Sequence, residues 1–263
     1  MNTDIEAFGR VSAQPASDAE TRVGKWRASR DDWFFSAMAF LMLGMVFLGF
    51  ARTYYLAGVY HAHVRSVLIA VHGAVFTAWL LLLVVQTALV ARRHIAIHRN
   101  FGILGAFLAI AMLGLGVAAA TDSLSRGFAP PGFPFDPLSF YAVPILNILV
   151  FATLTAAALW MRSNGPAHKR LVLLATISLM GPAINRWPFA FVARSHNFTN
   201  MTIDLLVIFV ASFDIWALRR VHRATLQGGL FLMVLLHASI PIGITPAWRA
   251  FAEFAVHQWQ KLI

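Results

Sequence analysis

The chain reads as an all-α, polytopic transmembrane bundle of about seven spans, and three observations lead there. It is 59% hydrophobic and only 12% charged, where a soluble domain carries about 25% charged residues. Its apolar residues gather in continuous windows of roughly the 20 residues that a bilayer core requires, not in the short alternating segments of a membrane barrel. Lysine and arginine recur in every second connecting segment, the pattern of a chain threaded back and forth through a membrane.

Taken in order, residues 1–30 are polar, Ala/Ser-rich and without a helical period. They are expected to form a solvated, disordered tail, and they lack the short apolar core and small-residue cleavage site of a signal peptide. The bundle is assigned to residues 31–247, with apolar windows near 33–51, 66–91, 101–120, 139–161, 171–193, 202–219 and 228–246. Arg92, Arg93 and Arg99, then Arg162, Lys169 and Arg170, then Arg219, Arg220 and Arg223 fall on the same side as the tail. That side is predicted to be cytoplasmic and the C-terminus outside. Tyr54, Tyr55, Tyr60, Tyr141, Trp187 and Trp248 mark the outer interface, and Trp33, Trp160 and Trp216 the inner one. The segment 122–138 is rich in Pro, Gly and Phe, and Pro130, Pro131 and Gly132 cannot continue a helix. It is expected to cap the outer face or to act as a lid. Residues 248–263 place Trp248, Phe251, Phe254, Ala255 and Trp259 at helical spacing, an amphipathic helix lying on the outer surface.

The second window carries a polar seam. Arg65, His72, Trp79, Gln86 and Arg93 recur every seventh residue and share one helical face. His72, Trp79 and Gln86 fall within the hydrocarbon, so this face should meet other helices or a ligand. A further group gathers in the outer half: His72, Asn147, Asn185, Arg186 and Asp204, with Asp122 at the edge. Arg186 closes the fifth window and Asp204 opens the sixth, which predicts a buried Arg186–Asp204 pair. Such a pair either locks two helices or, with Asn185 and Asn147, binds the polar group of a substrate. Pro182 and Pro241 cannot donate to the carbonyls of Ser178 and His237, so both helices should bend there.

Histidine dominates the remaining chemistry. There are ten histidines and no cysteine, which removes disulfides and thiolate ligands. His94 and His98 form an HxxxH pair that on a helix would present both rings to one metal, although Arg92, Arg93 and Arg99 oppose a second cation. The alternative is a basic interfacial turn touching lipid headgroups. A single HxxxH without an HxxHH argues against a membrane di-iron hydroxylase. His61 and His63 face outward, as solvent-exposed residues or as ligands for copper or zinc.

The stretches HGAVFTAWLLLLVVQTALV, HRNFG, HKRLVLLATISLMGPAINRWP and VHRATLQGGLFL, with TPAWRAF, resemble a group of uncharacterised bacterial seven-span integral membrane proteins. That likeness implies a bacterial inner-membrane location and no particular activity. More distantly, histidines that open spans as HR and HKR resemble the four-helix membrane cytochromes b, which hold haem b between axial histidines and exchange electrons with quinone or metal ions. Carried over, the likeness implies an inner pair, His98 with His168, and an outer pair, His72 with His237. Gln86 and Asn147 would support the ligands, and Arg186 would meet a propionate or a quinone oxygen. The usual two histidines within one span are absent.

Three function classes follow. In the first, the chain would be a redox protein holding haem b or another metal and exchanging electrons with quinone or a membrane redox partner. Alternatively, it is a cofactor-free binder, transporter or enzyme for a small amphiphile at Arg186 and Asp204, or an accessory subunit of a membrane complex. The lipid bilayer is its surrounding partner. The net charge of +10 lies at membrane boundaries, so no nucleic-acid partner is expected.

Overall fold

The computed structural model describes residues 29–62, 66–130, 133–194 and 197–262. The expected tail falls mostly on 1–28, outside the described residues, as do His63, Arg65, Pro131 and Gly132. Helix α1 (Arg30–Phe50) begins at a capping box: Asp32 N donates to Ser29 Oγ at 3.2 Å, and Ser29 N donates to Asp32 Oδ2 at 2.9 Å. It runs on through a π-helical turn, Ala51–Tyr55. Then follow α2 (Val67–Ala91), capped by Ser66; α3 (Ile95–Ser125); a short α4 (Pro137–Phe140), capped by Asp136; and α5 (Ala142–Trp160). Next come α6 (Gly165–Ser178), capped by Asn164, and two short helices, α7 (Gly181–Ile184) and α8 (Ala190–Arg194). Helices α9 (Phe198–Leu218), α10 (Arg223–Gly243) and α11 (Pro246–Gln260) complete the chain.

Six of the described helical segments are long and apolar enough to cross a membrane: 30–55, 67–91, 95–125, 137–160, 198–218 and 223–243. The fifth expected window, 171–193, is instead broken. Pro182 enters as the second residue of α7, and Leu179 and Met180 separate that turn from α6. The expected bend at Pro182 is therefore a full interruption, while Pro241 is accommodated inside α10. Residues 165–184 still reach about 30 Å at 1.5 Å per residue, and α6 starts beside the end of α9, so α6 and α7 together traverse the bundle.

The broken helix is also the central one. Along α6, Leu173, Leu174, Ala175, Ile177 and Ser178 are buried. Helix α5 packs along it, α10 rests on both, α2 pairs with α3, and α1 lies against α2 and α7. Backbones come close at two glycines. A Cβ on Gly49 would run into the Ala183 carbonyl of α7, and one on Gly243 into the Ser139 carbonyl. A glycine is required there because the neighbour is main chain and cannot swing aside. The apolar side chains at the periphery, such as Leu205, Phe209, Leu230 and Val234, stay exposed, as the hydrocarbon-facing side of a bundle requires.

At the end opposite the basic residues, 122–138 divides. Helix α3 continues to Ser125, so Asp122 lies within it and pairs with Arg126 one turn on. Asp136 then caps α4 and meets Arg249 of α11 at 2.6 Å. Trp248 Nε1 donates to the Leu138 carbonyl at 3.1 Å, and Ala252 is fully buried. Helix α11 is amphipathic as expected, yet its inward face is Trp248, Ala252, Ala255 and Val256, while Phe251 and Phe254 stay exposed. Small residues allow the close contact, and the phenylalanines are left for the surroundings.

Replacing Gly49 by Val is expected to cost about 1–3 kcal/mol by forcing α1 from α7, read as a lowered unfolding temperature in detergent. Burial raises the Asp136 carboxyl, but the Arg249 and Ser139 hydrogen bonds outweigh it and hold the group below its ordinary value. Its contribution is therefore complete above the ordinary carboxylate value of about 4 and is lost as pH falls through the lowered one. A spin-label distance between α4 and α11 should stay constant from neutral pH to about pH 4 and lengthen in stronger acid. Arg249→Ala should move that change to higher pH.

Candidate functional site

The basic end is built on two buried charges. Arg170, one turn into α6, is 1% exposed, and Asp214 in α9 is 0% exposed. Arg170 Nε donates to Asp214 Oδ1 at 2.8 Å, its Nη2 donates to the same oxygen, and Nη1 donates to the Pro166 carbonyl at 2.9 Å. The second carboxylate oxygen accepts from Thr225 Oγ1 at 2.5 Å and from the His222 backbone N–H at 3.1 Å. Three helices, α6, α9 and α10, thus converge on one carboxylate with no lone pair wasted. Lys169 pairs with Asp31 of α1 and lies over Phe35, bringing a fourth helix to the same end. His222 is the cap of α10, its Nδ1 accepting from Ala224 N at 3.1 Å. Burial lowers its pKa and the Arg170 charge lowers it further, which suits a neutral accepting ring.

Beside this node two imidazoles meet. Helix α2 ends on Arg93 in the left-handed conformation (φ 62°), and His94 N donates back to the Leu89 carbonyl at 2.9 Å. Helix α3 starts at once, so Gln86 Nε2 reaches the His98 carbonyl at 3.1 Å. His168, in the first turns of α6, places Nδ1 2.8 Å from the Ala158 carbonyl of α5. A carbonyl only accepts, so Nδ1 carries a proton and donates it, which leaves Nε2 as the ring nitrogen not engaged by that carbonyl. The His98 and His168 ring centroids stand 6.4 Å apart with the planes 86° to each other. His98 Nδ1 and Gln86 Oε1 are buried without a hydrogen-bond partner. A separation of 6.4 Å between the centroids leaves room for one metal ion between the two rings.

The expected inner pair, His98 with His168, is thus brought together. The HxxxH pair is not presented as one helical face, because His94 is the exposed residue before α3 rather than part of it. His61 sits in a turn at φ 51° and is exposed. Among the described residues no three His, Asp or Glu side chains gather around one point, so the donors come in pairs.

The seam on α2 faces inward as expected. Trp79 Nε1 donates to Thr176 Oγ1 of α6 at 3.2 Å, and His72 stacks on Phe76 at 4.1 Å with its Nδ1 buried and unpartnered. The outer group, by contrast, is not joined into one network: among the described residues Asn147, Asn185, Arg186 and Asp204 each hydrogen-bond outside the group. Asn147 lies beside the break between α6 and α7, where Ser178 Oγ donates to its carbonyl at 3.5 Å. Asn185 Oδ1 accepts from Thr199 Oγ1 at 3.4 Å. The expected Arg186–Asp204 pair does not form. The interruption at Pro182 puts Arg186 beyond α7, where Nη1 donates to the Pro182 carbonyl at 2.8 Å and the guanidinium lies over Phe50. Asp204 instead meets His237, Nε2 to Oδ2 at 3.0 Å. His237 is therefore turned toward α9 and does not meet His72.

The Arg170–Asp214 node was not anticipated, since Arg170 sorts naturally with the loop charges of HKR. The available signal was Asp214 itself, a carboxylate inside an apolar window, which is costly unless paired. Comparison of the chain with protein-family models, with curated proteins and with solved structures finds no match.

Arg170→Met alone and Asp214→Leu alone should each destabilise the bundle by about 3–5 kcal/mol, because each leaves one buried charge uncompensated. The double variant should recover most of that loss in a denaturant titration. Equal losses that simply add would show that the pair is not coupled.

Proposed function

We propose that this chain is a bacterial inner-membrane redox protein that holds haem b or another metal between His98 and His168 and exchanges electrons with quinone or a membrane partner. One observation carries the reading: two imidazoles from separate helices come within 6.4 Å at the basic end, with polar atoms left unpartnered around them. Buried polar atoms cost free energy unless something meets their demand, and a metal on the ring nitrogens is the chemistry that a pair of imidazoles serves best.

The residues divide the work. The Ala158 carbonyl fixes the tautomer and direction of His168, as outer hydrogen bonds do for metal-bound imidazoles. Gln86 holds the first turn of α3 and so sets the position of His98. The Arg170–Asp214 node anchors the start of α6, which carries His168. Arg92, Arg93, Arg99 and Arg162 lie at the helix ends on this side, and cationic side chains suit the carboxylates of a porphyrin better than a bare cation. A haem bound there supplies a one-electron couple. By the charge of its loops, this end faces the cytoplasm.

The test is an absorption spectrum of detergent-purified protein from cells supplied with haem, oxidised and then reduced, with metal analysis of the same sample. A Soret band that shifts on reduction, or a stoichiometric transition metal, is expected. His98→Ala and His168→Ala should each abolish it, whereas His72→Ala should leave it. A colourless, metal-free protein would sink the proposal.

A further inference from the structure

The Asp204–His237 pair occupies an unusual place. Asp204 lies six residues into α9 (198 to 204) and His237 six residues before the end of α10 (237 to 243). Both therefore sit about 9 Å below the same end of the bundle, at 1.5 Å per residue. That depth is hydrocarbon. Yet the His237 side chain is 53% exposed and that of Asp204 20%. The exposure is outward: along α10, His237 continues the lipid-facing row Leu226, Leu230 and Val234. On α9 the neighbouring surface is Met201, Leu205 and Ile208.

A polar group at this depth is costly when its hydrogen-bonding capacity is unmet. This pair meets only part of its own. Nε2 of His237 is satisfied by Asp204 Oδ2, and among the described residues Nδ1 of this largely exposed ring has no hydrogen bond. Asp204 Oδ1 is covered and unpartnered. In the neutral imidazole whose single proton sits on Nε2 and is donated to the carboxylate, Nδ1 is an acceptor. The group it lacks is a donor that can live in hydrocarbon, and a hydroxyl on an apolar body meets that description. An ammonium or a guanidinium would carry its own desolvation cost to the same depth.

We infer that Asp204 and His237 form a binding site, open sideways to the hydrocarbon between α9 and α10, for the hydroxyl of a lipid-soluble molecule. Asp204 orients the imidazole and fixes its tautomer; His237 Nδ1 accepts the ligand's O–H; the apolar row along α10 carries its alkyl body. Two sources share this chemistry, a phenol such as a quinol and an aliphatic lipid alcohol. The inference is independent of the histidine pair at the basic end.

The experiment is calorimetric titration of the full chain in nanodiscs with decylhydroquinone, with its dimethyl ether, and with decanol as competitor, empty nanodiscs being subtracted. Saturable binding of decylhydroquinone is expected, about ten-fold weaker for the ether, which keeps the shape and loses the donors. Asp204→Asn and His237→Ala should each weaken it by about the same factor. Val234→Trp, which crowds the approach from a lipid-facing position without touching the pair, should also weaken it. His168→Ala should not, so loss of the metal reading and loss of this one are separate results. Competition by decanol at equal concentration assigns the aliphatic source, and failure to compete assigns the phenol. Equal binding of the ether, or wild-type binding by the His237 and Val234 variants, overturns the proposal. So does a dimer that His237→Ala dissociates while hydroquinone binding is unchanged, since the pair would then serve a second protein chain.

Discussion

The buried contact between Arg170 and Asp214 is the constraint on which the rest of the architecture depends. Taking either charge from water costs several kcal/mol, and their attraction offsets that only when the remaining protons and lone pairs are used. Here they are used: Pro166, Thr225 and the His222 backbone complete the set. The consequence is geometric. The start of α6 and the end of α9 must lie side by side, so the chain between them crosses the bundle although its helix is interrupted at Leu179 and Met180. A pair so demanding specifies one arrangement of helices more sharply than leucine contacts do, because a shifted register would leave a charge alone.

The same arrangement sets up the inner histidines. His168 lies two residues before Arg170, so the anchoring of Arg170 also fixes where the His168 ring enters the bundle. The abrupt reversal at Arg93 and His94 folds the first turn of α3 back onto Gln86 and delivers His98 to the same level. Neither histidine is held by an unusual local sequence. Their approach follows from two helix starts lying at one end of a bundle whose helices alternate in direction.

The outer half follows a different logic. Polar residues there are settled in twos by whichever neighbour lies closest: Asn185 with Thr199, Asp204 with His237, Arg186 with a carbonyl one turn back and the face of Phe50. Interrupting α6 changes which residues share a level, and a carboxylate that finds an imidazole has less need of a guanidinium. The cost appears as a histidine facing the hydrocarbon with one nitrogen unused.

Much of this was legible in the residues. The fold class, the positions of the long helices, the inward face carrying His72, Trp79 and Gln86, and the amphipathic nature of α11 follow from hydropathy and periodicity. These are properties of a segment alone, and a bilayer leaves a backbone few alternatives to the helix. The meeting of His98 with His168 was anticipated only through a likeness of motif. The choice of Asp204 for His237 rather than Arg186, the burial of Arg170 against Asp214, and the rotation of α11 onto Ala252 were decided by tertiary structure. Each depends on which side chains stand at equal depth on adjacent helices, and that is set by helix interruptions and close backbone contacts such as Gly49 on Ala183, which hydropathy does not register.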